Sequence, residues 1–179
     1  ETGAWMSILG VIFTNWIASI LGKKRAFLWL FGPSIIATAL FFFLSAENIA
    51  LMFILQMIGS FCGGPLTPLI WAMYADSADY SEWKNGRRAT GLVFSASTML
   101  GKFGWAIGTF VAGTLLSIFG FQANAAQNPD VLHGLKLMMS LIPAAAGVSG
   151  LGIIWFYRLD EGFMKDVERE LSSRREQTE

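Results

Sequence analysis

The feature that most constrains this chain is a series of apolar runs, each long enough to cross a lipid bilayer. A membrane-spanning helix needs roughly 18 to 20 consecutive apolar residues. Because these runs are uniformly apolar, without the alternation of membrane strands, we predict an all-α membrane protein with about five transmembrane helices. The predicted spans are, to within a few residues, Ala4–Leu21, Ala26–Leu44, Ile49–Tyr74, Gly91–Phe119 and Leu135–Tyr157.

Composition supports a membrane protein and argues against several other classes. Of the 179 residues, 54% are hydrophobic and 15% are charged, whereas a soluble domain carries about 25% charged residues. The formal net charge is zero, so we expect no nucleic-acid partner. Cys62 and His133 are each the only residue of their type, so we expect neither a metal site nor an enzyme.

The basic residues predict how the chain is oriented and where its bundle ends. Apart from Lys102 and Lys136, every Lys and Arg follows the first, third or fifth run, which the positive-inside rule places in the cytoplasm. We therefore expect an outside start at Glu1, a transmembrane bundle over residues 1–158 and a cytoplasmic amphipathic tail over 159–179. We interpret the chain as a fragment whose upstream part is missing, because it starts without a signal peptide almost directly in an apolar run.

The tail repeats apolar residues at helical spacing, namely Phe163, Val167 and Leu171. This pattern predicts a helix that lies with its apolar face on the inner membrane surface. A plain solvated tail helix is the alternative.

The third run is interrupted and carries polar side chains. Residues 63–68 contain two glycines and two prolines, and such breaks are tolerated where protein or a watery cavity covers the backbone. The polar and aromatic residues that fall roughly on one face of a continuous helix are Gln56, Ser60, Thr67, Trp71 and Tyr74. We interpret this face as cavity lining, with simple helix–helix packing as the alternative.

The fourth run contains an intramembrane charge, Lys102. It lies about 14 residues from Arg88, or roughly 21 Å along a helix, which is too far for its side chain to reach the surface easily. Thr98 and Trp105 share its helical face. With no Asp or Glu predicted at the same depth, Lys102 is a candidate functional residue. A structural lysine bonded to helix ends is the alternative.

Residues 73–91, MYADSADYSEWKNGRRATG, resemble the loop between helices ten and eleven of the glycoside–pentoside–hexuronide:cation symporters. This group includes the melibiose permeases and belongs to the major facilitator superfamily. Residues 94–108 are similar to the family's helix eleven, 22–25 to its loop between helices eight and nine, and 157–171 to its ending. The resemblance implies that the five spans are helices 8–12 of a twelve-helix transporter, without the first helix of their half.

The resemblance also implies a function, which is symport of a sugar or glycoside with sodium or protons across a bacterial inner membrane. The family's cation-binding acids lie in the N-terminal half, so we expect no cofactor and no metal site here. The implied partners are the sugar, the coupling cation, the bilayer and the missing half. The candidate substrate-binding residues are Lys102, Thr98, Thr67, Trp71, Trp105 and Gln56.

We further predict a conformational-coupling loop that follows the third span. Acidic and basic residues alternate there, so ion pairs among them could hold one state of an inner gate, although a simple charged anchor is the alternative. The residues of this loop are Asp76, Asp79, Tyr80, Glu82, Lys84, Arg87 and Arg88.

Two other functions remain open at this point. The first is a carrier of the same fold with another cargo, such as a lysolipid, which should have more apolar cavity walls. The second is a membrane sensor or scaffold that does not transport.

Overall fold

The computed structural model describes residues 2–45, 47–87, 89–125 and 127–176, and the regular secondary structure in these ranges is helical. The helices are α1 (Thr2–Leu21), α2 (Lys23–Leu40), α3 (Ile49–Gly63), α4 (Leu66–Asn85), α5 (Thr90–Ile118), α6 (Pro129–Met139), α7 (Leu141–Trp155) and α8 (Glu161–Glu176). A short 3-10 helix, Phe41–Phe43, continues α2.

Five segments within the described ranges are long and apolar enough to cross a membrane. This confirms the prediction of an all-α chain with five spans. Two of the five are broken helices, because α3 and α4 make up the third and α6 and α7 make up the fifth. The segments are Thr2–Leu21, Lys23–Phe43, Ile49–Asn85, Thr90–Ile118 and Pro129–Trp155.

The break in the third span lies against α1. Pro65 has no backbone N–H to continue the helix ladder, so α3 ends before it and α4 begins after it. A Cβ on Gly64 would lie 2.4 Å from the carbonyl oxygen of Ser7, and one on Gly10 would lie 2.2 Å from that of Phe61. The backbones therefore approach more closely than any residue with a side chain would allow.

Helix α2 packs against most of the other helices, whereas α5 packs against few of them. On α2, Ala26, Phe27 and Leu30 are buried and pack around Leu69 of α4. The helix also contacts α1, α3 and α7. By contrast, none of the described residues of α5 is buried, and α5 packs chiefly against α4 and α6.

The tail helix α8 is amphipathic, but α4 covers its apolar face. Met164, Val167 and Leu171 are buried and pack against Trp83 of α4 and against Leu159. The prediction that this face lies on the membrane surface is therefore wrong. The reason is that α4 continues well beyond the predicted end of the third span and offers an aromatic surface of its own, where Phe163 meets the rings of Tyr80 and Trp83.

Polar contacts also hold α8 on α4. The indole N–H of Trp83 donates to Oε2 of Glu170 at 2.7 Å, and Arg174 pairs with Oε1 of Glu170 at 2.6 Å. These two hydrogen bonds, the one from Trp83 first, lower the pKa of Glu170 from its ordinary value of 4.5. The docked tail thus favours the charged carboxylate.

We expect Gly10→Ala to destabilise the full-length protein by at least about 2 kcal/mol, because the new methyl group would push α1 away from α3. Thermal unfolding in detergent measures the change. The matched control is Gly152→Ala, since a Cβ there meets nothing within 4 Å. Equal effects of the two substitutions would contradict the close crossing.

We expect Leu171→Ala in the full-length protein to weaken tail docking by about 2–3 kcal/mol, since it removes a buried side chain. Faster amide hydrogen exchange over residues 161–176 would report it. Arg169→Ala is the control, because the Arg169 side chain is exposed and, among the described residues, its ion pair is with exposed Asp166.

The same exchange measurement should depend on pH. A lowered carboxyl pKa contributes stability that is fully present above pH 4.5 and is lost as pH falls through the lower value in the docked state. Protection of α8 should therefore stay constant near neutrality and decrease only in acid, and Glu170→Gln should remove this acid-dependent part. Protection that rises in acid would contradict the assignment.

Candidate functional site

A cleft of about 670 Å³ lies between α4 and α5. Both helices contribute to it with residues spaced three or four apart, which is the spacing of one helical face. The cleft is open, and its wall combines aromatic rings with hydroxyl groups and one ammonium group. The residues that line it are Thr67, Ile70, Trp71, Tyr74, Ser97, Thr98, Gly101, Lys102 and Trp105.

The aromatic part of the wall is held in place by ring contacts. Trp71 of α4 stacks on Phe94 of α5, with ring centroids 5.8 Å apart and an angle of 13° between the planes. The same indole meets the ring of Tyr74 edge-on, also at 5.8 Å. Trp71 is therefore a fixed, partly exposed surface, whereas Trp105 is almost fully exposed on the α5 side.

Lys102 supplies the charge in the cleft. It is the thirteenth residue of α5, about 18 Å along the helix from Thr90. In the part of the chain that the structure describes, Lys102 forms no ion pair and no hydrogen bond. Its three N–H donors are thus available to a ligand. The Thr98 hydroxyl donates to the carbonyl of Phe94 at 2.8 Å and keeps its acceptor lone pairs.

The structure brings five of the six predicted substrate-binding residues together in this cleft. Gln56 lies elsewhere, because its amide donates to Oγ of Ser60 at 3.2 Å and it lines a separate pocket with residues of α2. In a continuous helix, Gln56 and Thr67 would share a face, since eleven residues make about three turns. The two residues would nevertheless lie about 16 Å apart along such a helix, and in the structure Gln56 does not line the cleft.

The predicted set of six substrate-binding residues omits four residues that line the cleft. Ser97 and Gly101 each precede a predicted residue by one position. The part of α5 that lines the cleft is therefore wider than the single row of residues that was predicted. Ile70 and Tyr74 flank Trp71 by one residue and by three. Helical spacing did place Tyr74 on the predicted cavity face, although not among the substrate-binding candidates, whereas Gly101 has no side chain that could have indicated it.

A second cluster joins the turn between α1 and α2 to the middle of α4. The ammonium group of Lys23 contacts Oδ1 of Asp76 at 2.6 Å, with the side chains 33% and 7% exposed respectively. The backbone N–H of Lys23 donates to Oε2 of Glu161 at 3.3 Å. This turn therefore connects α2, α4 and the first residue of α8.

The neighbouring Lys24 attaches the end of α7 to the same turn. Its ammonium group donates to the carbonyls of Trp155 at 3.1 Å and Tyr157 at 2.5 Å, which caps the negative end of the α7 dipole. The Tyr157 hydroxyl donates to the carbonyl of Met73 at 3.4 Å. Burial, with a smaller contribution from the charge of Asp76, raises the pKa of Tyr157 to about 12, so this donor keeps its proton.

The predicted conformational-coupling loop is helical over most of its length. Helix α4 continues to Asn85, so Asp76, Asp79, Tyr80, Glu82 and Lys84 all lie on it, while Arg87 lies in the following turn and Arg88 lies outside the described residues. Asp76 pairs with Lys23 rather than with a base of its own segment. Tyr80 stacks near Trp83 at 6.0 Å, and the Lys84 ammonium lies 5.7 Å from the Tyr80 ring. A role in coupling stays a prediction.

Within the described ranges, no group of three or more His, Cys, Asp or Glu side chains could hold a metal ion. The chemistry of the α4–α5 cleft is therefore that of hydrogen bonding, ring stacking and one positive charge.

Comparison with known proteins identifies relatives of this chain. The family model described as "MFS/sugar transport protein" matches residues 2–161. An uncharacterized symporter of Bacillus subtilis strain 168 is 31% identical over 95% of this chain and 38% of its own length. An isoprimeverose transporter of Lactiplantibacillus pentosus is 34% identical over 87% of this chain and 33% of its own.

A glucuronide carrier protein homolog of Escherichia coli K12 is 30% identical over 87% of this chain and 34% of its own length. The chain thus spans about a third of the length of the curated relatives that it matches.

The Lys23–Asp76 pair allows an asymmetric prediction. Lys23→Met should destabilise the full-length protein by about 3 kcal/mol, because it leaves a buried carboxylate unpaired. Asp76→Asn should destabilise the protein less, by about 1 kcal/mol, because the Lys23 side chain is more exposed and water can solvate its ammonium group. Thermal unfolding in detergent checks this order.

Lys165→Met is the matched control for that pair. The Lys165 side chain is well exposed and lies 3.9 Å from Glu161, so its loss should change stability by less than about 0.5 kcal/mol. If Asp76→Asn destabilised the protein more than Lys23→Met, the buried-carboxylate explanation would be overturned.

Proposed function

The chain belongs to the MFS/sugar transport protein family, the glycoside–pentoside–hexuronide:cation symporters, and on that basis we propose that the whole protein carries a sugar or glycoside together with a cation. This family consists of transporters, not enzymes. The predicted family resemblance is confirmed. Two of the relatives are named for isoprimeverose and for glucuronides. These names support a sugar-type cargo without identifying it.

The observation that carries the proposal is the α4–α5 cleft. Its volume falls within the range of about 300–1,000 Å³ that is usual for small-molecule sites. A sugar ring has apolar C–H faces and hydroxyl edges. The indoles of Trp71 and Trp105 offer flat surfaces for the faces, while Lys102, Thr67 and Thr98 offer hydrogen-bonding groups for the edges.

The coupling cation, sodium or a proton, is proposed to bind mainly to acidic residues of the N-terminal half. Lys102 would repel a cation close to it, so it acts through its charge as well as through its hydrogen bonds. A carboxylate facing Lys102 across the cleft would compensate its charge and connect the cation site to the sugar site.

The bilayer arrangement follows from the same assignment. The chain is a multi-pass membrane segment, with its spans proposed as helices 8–12 of twelve. We propose a bacterial inner membrane with the C-terminus in the cytoplasm, as the basic turn at Lys23 and Lys24 suggests. In this orientation the Lys23–Asp76 pair lies at the cytoplasmic face, where a conformational gate would act.

A lysolipid is the alternative cargo that an observation favours. The cleft is open on one side, and Ile70, Trp71 and Trp105 give it a wall that is apolar over much of its area. A lysolipid would place its chain on that wall. The two cargoes are separated by measuring uptake of labelled glycosides and labelled lysolipid in the same vesicles.

We expect Lys102→Ala in the full-length protein to abolish cation-driven accumulation of the glycoside. It should weaken sugar binding about ten- to a hundredfold, since a charged hydrogen bond contributes about 1.5–3 kcal/mol. Lys102→Arg should retain part of the activity if charge is what matters. Uptake into vesicles and equilibrium sugar binding measure the two effects.

Thr114→Ala is the control, because Thr114 is an exposed hydroxyl residue on the same helix and does not line the cleft. Its uptake should equal that of the parent. Parental uptake by Lys102→Ala at every cation concentration would show that this lysine is structural and would remove the site assignment.

A further inference from the structure

Helix α2 presents a continuous apolar stripe away from the rest of the chain. Trp29, Ile36 and Phe43 recur every seven residues and are 70%, 61% and 74% exposed. Arg25 lies one turn before Trp29 on the same side of the helix, and it is also exposed. The stripe therefore ends in a tryptophan and then a positive charge, which is the order found at a membrane–water interface.

The end of α7 repeats this order beside α2. Trp155 and Phe156 are 73% and 79% exposed, and the exposed Arg158 follows them. Helices α2 and α7 pack together, and the hydrogen bond from Lys24 to the Tyr157 carbonyl holds the start of one beside the end of the other. Arg25 and Arg158 are consequently at the same level of the bundle.

Two of the four basic residues at this place are bonded to other described groups, and the other two, both arginines, are not. Lys23 is occupied by Asp76, and Lys24 by the carbonyls at the end of α7. Neither Arg25 nor Arg158 forms an ion pair with any described residue. The carboxylates of Asp160, Glu161 and Glu168 line one pocket with Arg25, but none of them forms an ion pair with it.

We propose that Arg25 and Arg158, together with Trp29 and Trp155, bind the anionic headgroup of a phospholipid. The guanidinium groups would hold the phosphate, since their fork of N–H donors fits phosphate oxygens. The acyl chains would lie along the stripe toward Ile36. On the orientation proposed above the lipid belongs to the cytoplasmic leaflet, but the site itself does not depend on the cargo that the protein carries.

The proposal is tested by native mass spectrometry of the full-length protein in detergent, titrated with dioleoyl phosphatidylglycerol or dioleoyl phosphatidylcholine. The parent should bind the anionic lipid more tightly. The double variant Arg25→Gln/Arg158→Gln should lose about five- to thirtyfold of that preference, because each basic residue near an anionic lipid contributes about fivefold. Arg25→Lys/Arg158→Lys should keep most of it.

Arg169→Gln is the matched control, because Arg169 is an exposed arginine on α8, away from the stripe. It should retain the full preference, and glycoside uptake by the double glutamine variant shows that the variant has folded. Equal binding of both lipids by the parent would overturn the proposal. So would an unchanged preference in the double glutamine variant, or an equal loss in Arg169→Gln.

Discussion

Hydrocarbon offers no hydrogen bonds to a polypeptide backbone, and the arrangement of this chain depends on how that constraint is met at its breaks. The third span is interrupted at Gly64 and Pro65, and Pro65 lacks the N–H that a continuous helix ladder would use. The break is covered by α1, whose Gly10 comes so close to it that a side chain would not fit. Thr67 and Trp71 follow this crossing on α4 and line the cleft with α5.

The second half of α4 is held by charge and by the tail helix instead of by close backbone packing. Lys23 reaches Asp76, Lys24 caps α7, and α8 covers the aromatic surface around Trp83. Elements from both ends of the sequence are thereby attached to a single helix. Any movement of α4 at the cleft must be transmitted to this cluster, or it must break the ion pair, whose carboxylate is buried and cannot easily be left alone.

Periodicity and length were sufficient to predict the five spans and most of the cleft, because bilayer thickness and helical spacing are local rules that a sequence obeys directly. Thr98, Lys102 and Trp105 on α5, and Thr67 and Trp71 on α4, could be placed on this basis. Gln56 could not, because helical spacing predicts which residues share a face but not which part of that face borders the cleft.

The partner of Asp76 was also beyond prediction. It lies 53 residues earlier in the chain, whereas three basic residues close in sequence seemed to offer the simpler pairing. The same holds for α8, whose apolar face fits a membrane surface as well as it fits α4. An amphipathic pattern predicts that one face of a helix will be covered, but only the tertiary structure shows which surface covers it.

The length of α5 has a mechanical consequence. Its 29 residues extend about 43 Å, while the hydrocarbon core is about 30 Å thick, so the helix is too long to stand upright within it. It must tilt or project into the interface, and within the described chain it contacts chiefly α4 and α6. When a helix tilts about its middle, its ends move furthest and its centre hardly moves. Lys102 is close to that centre, so its ammonium group would keep a nearly constant depth while the rims of the cleft open and close around it.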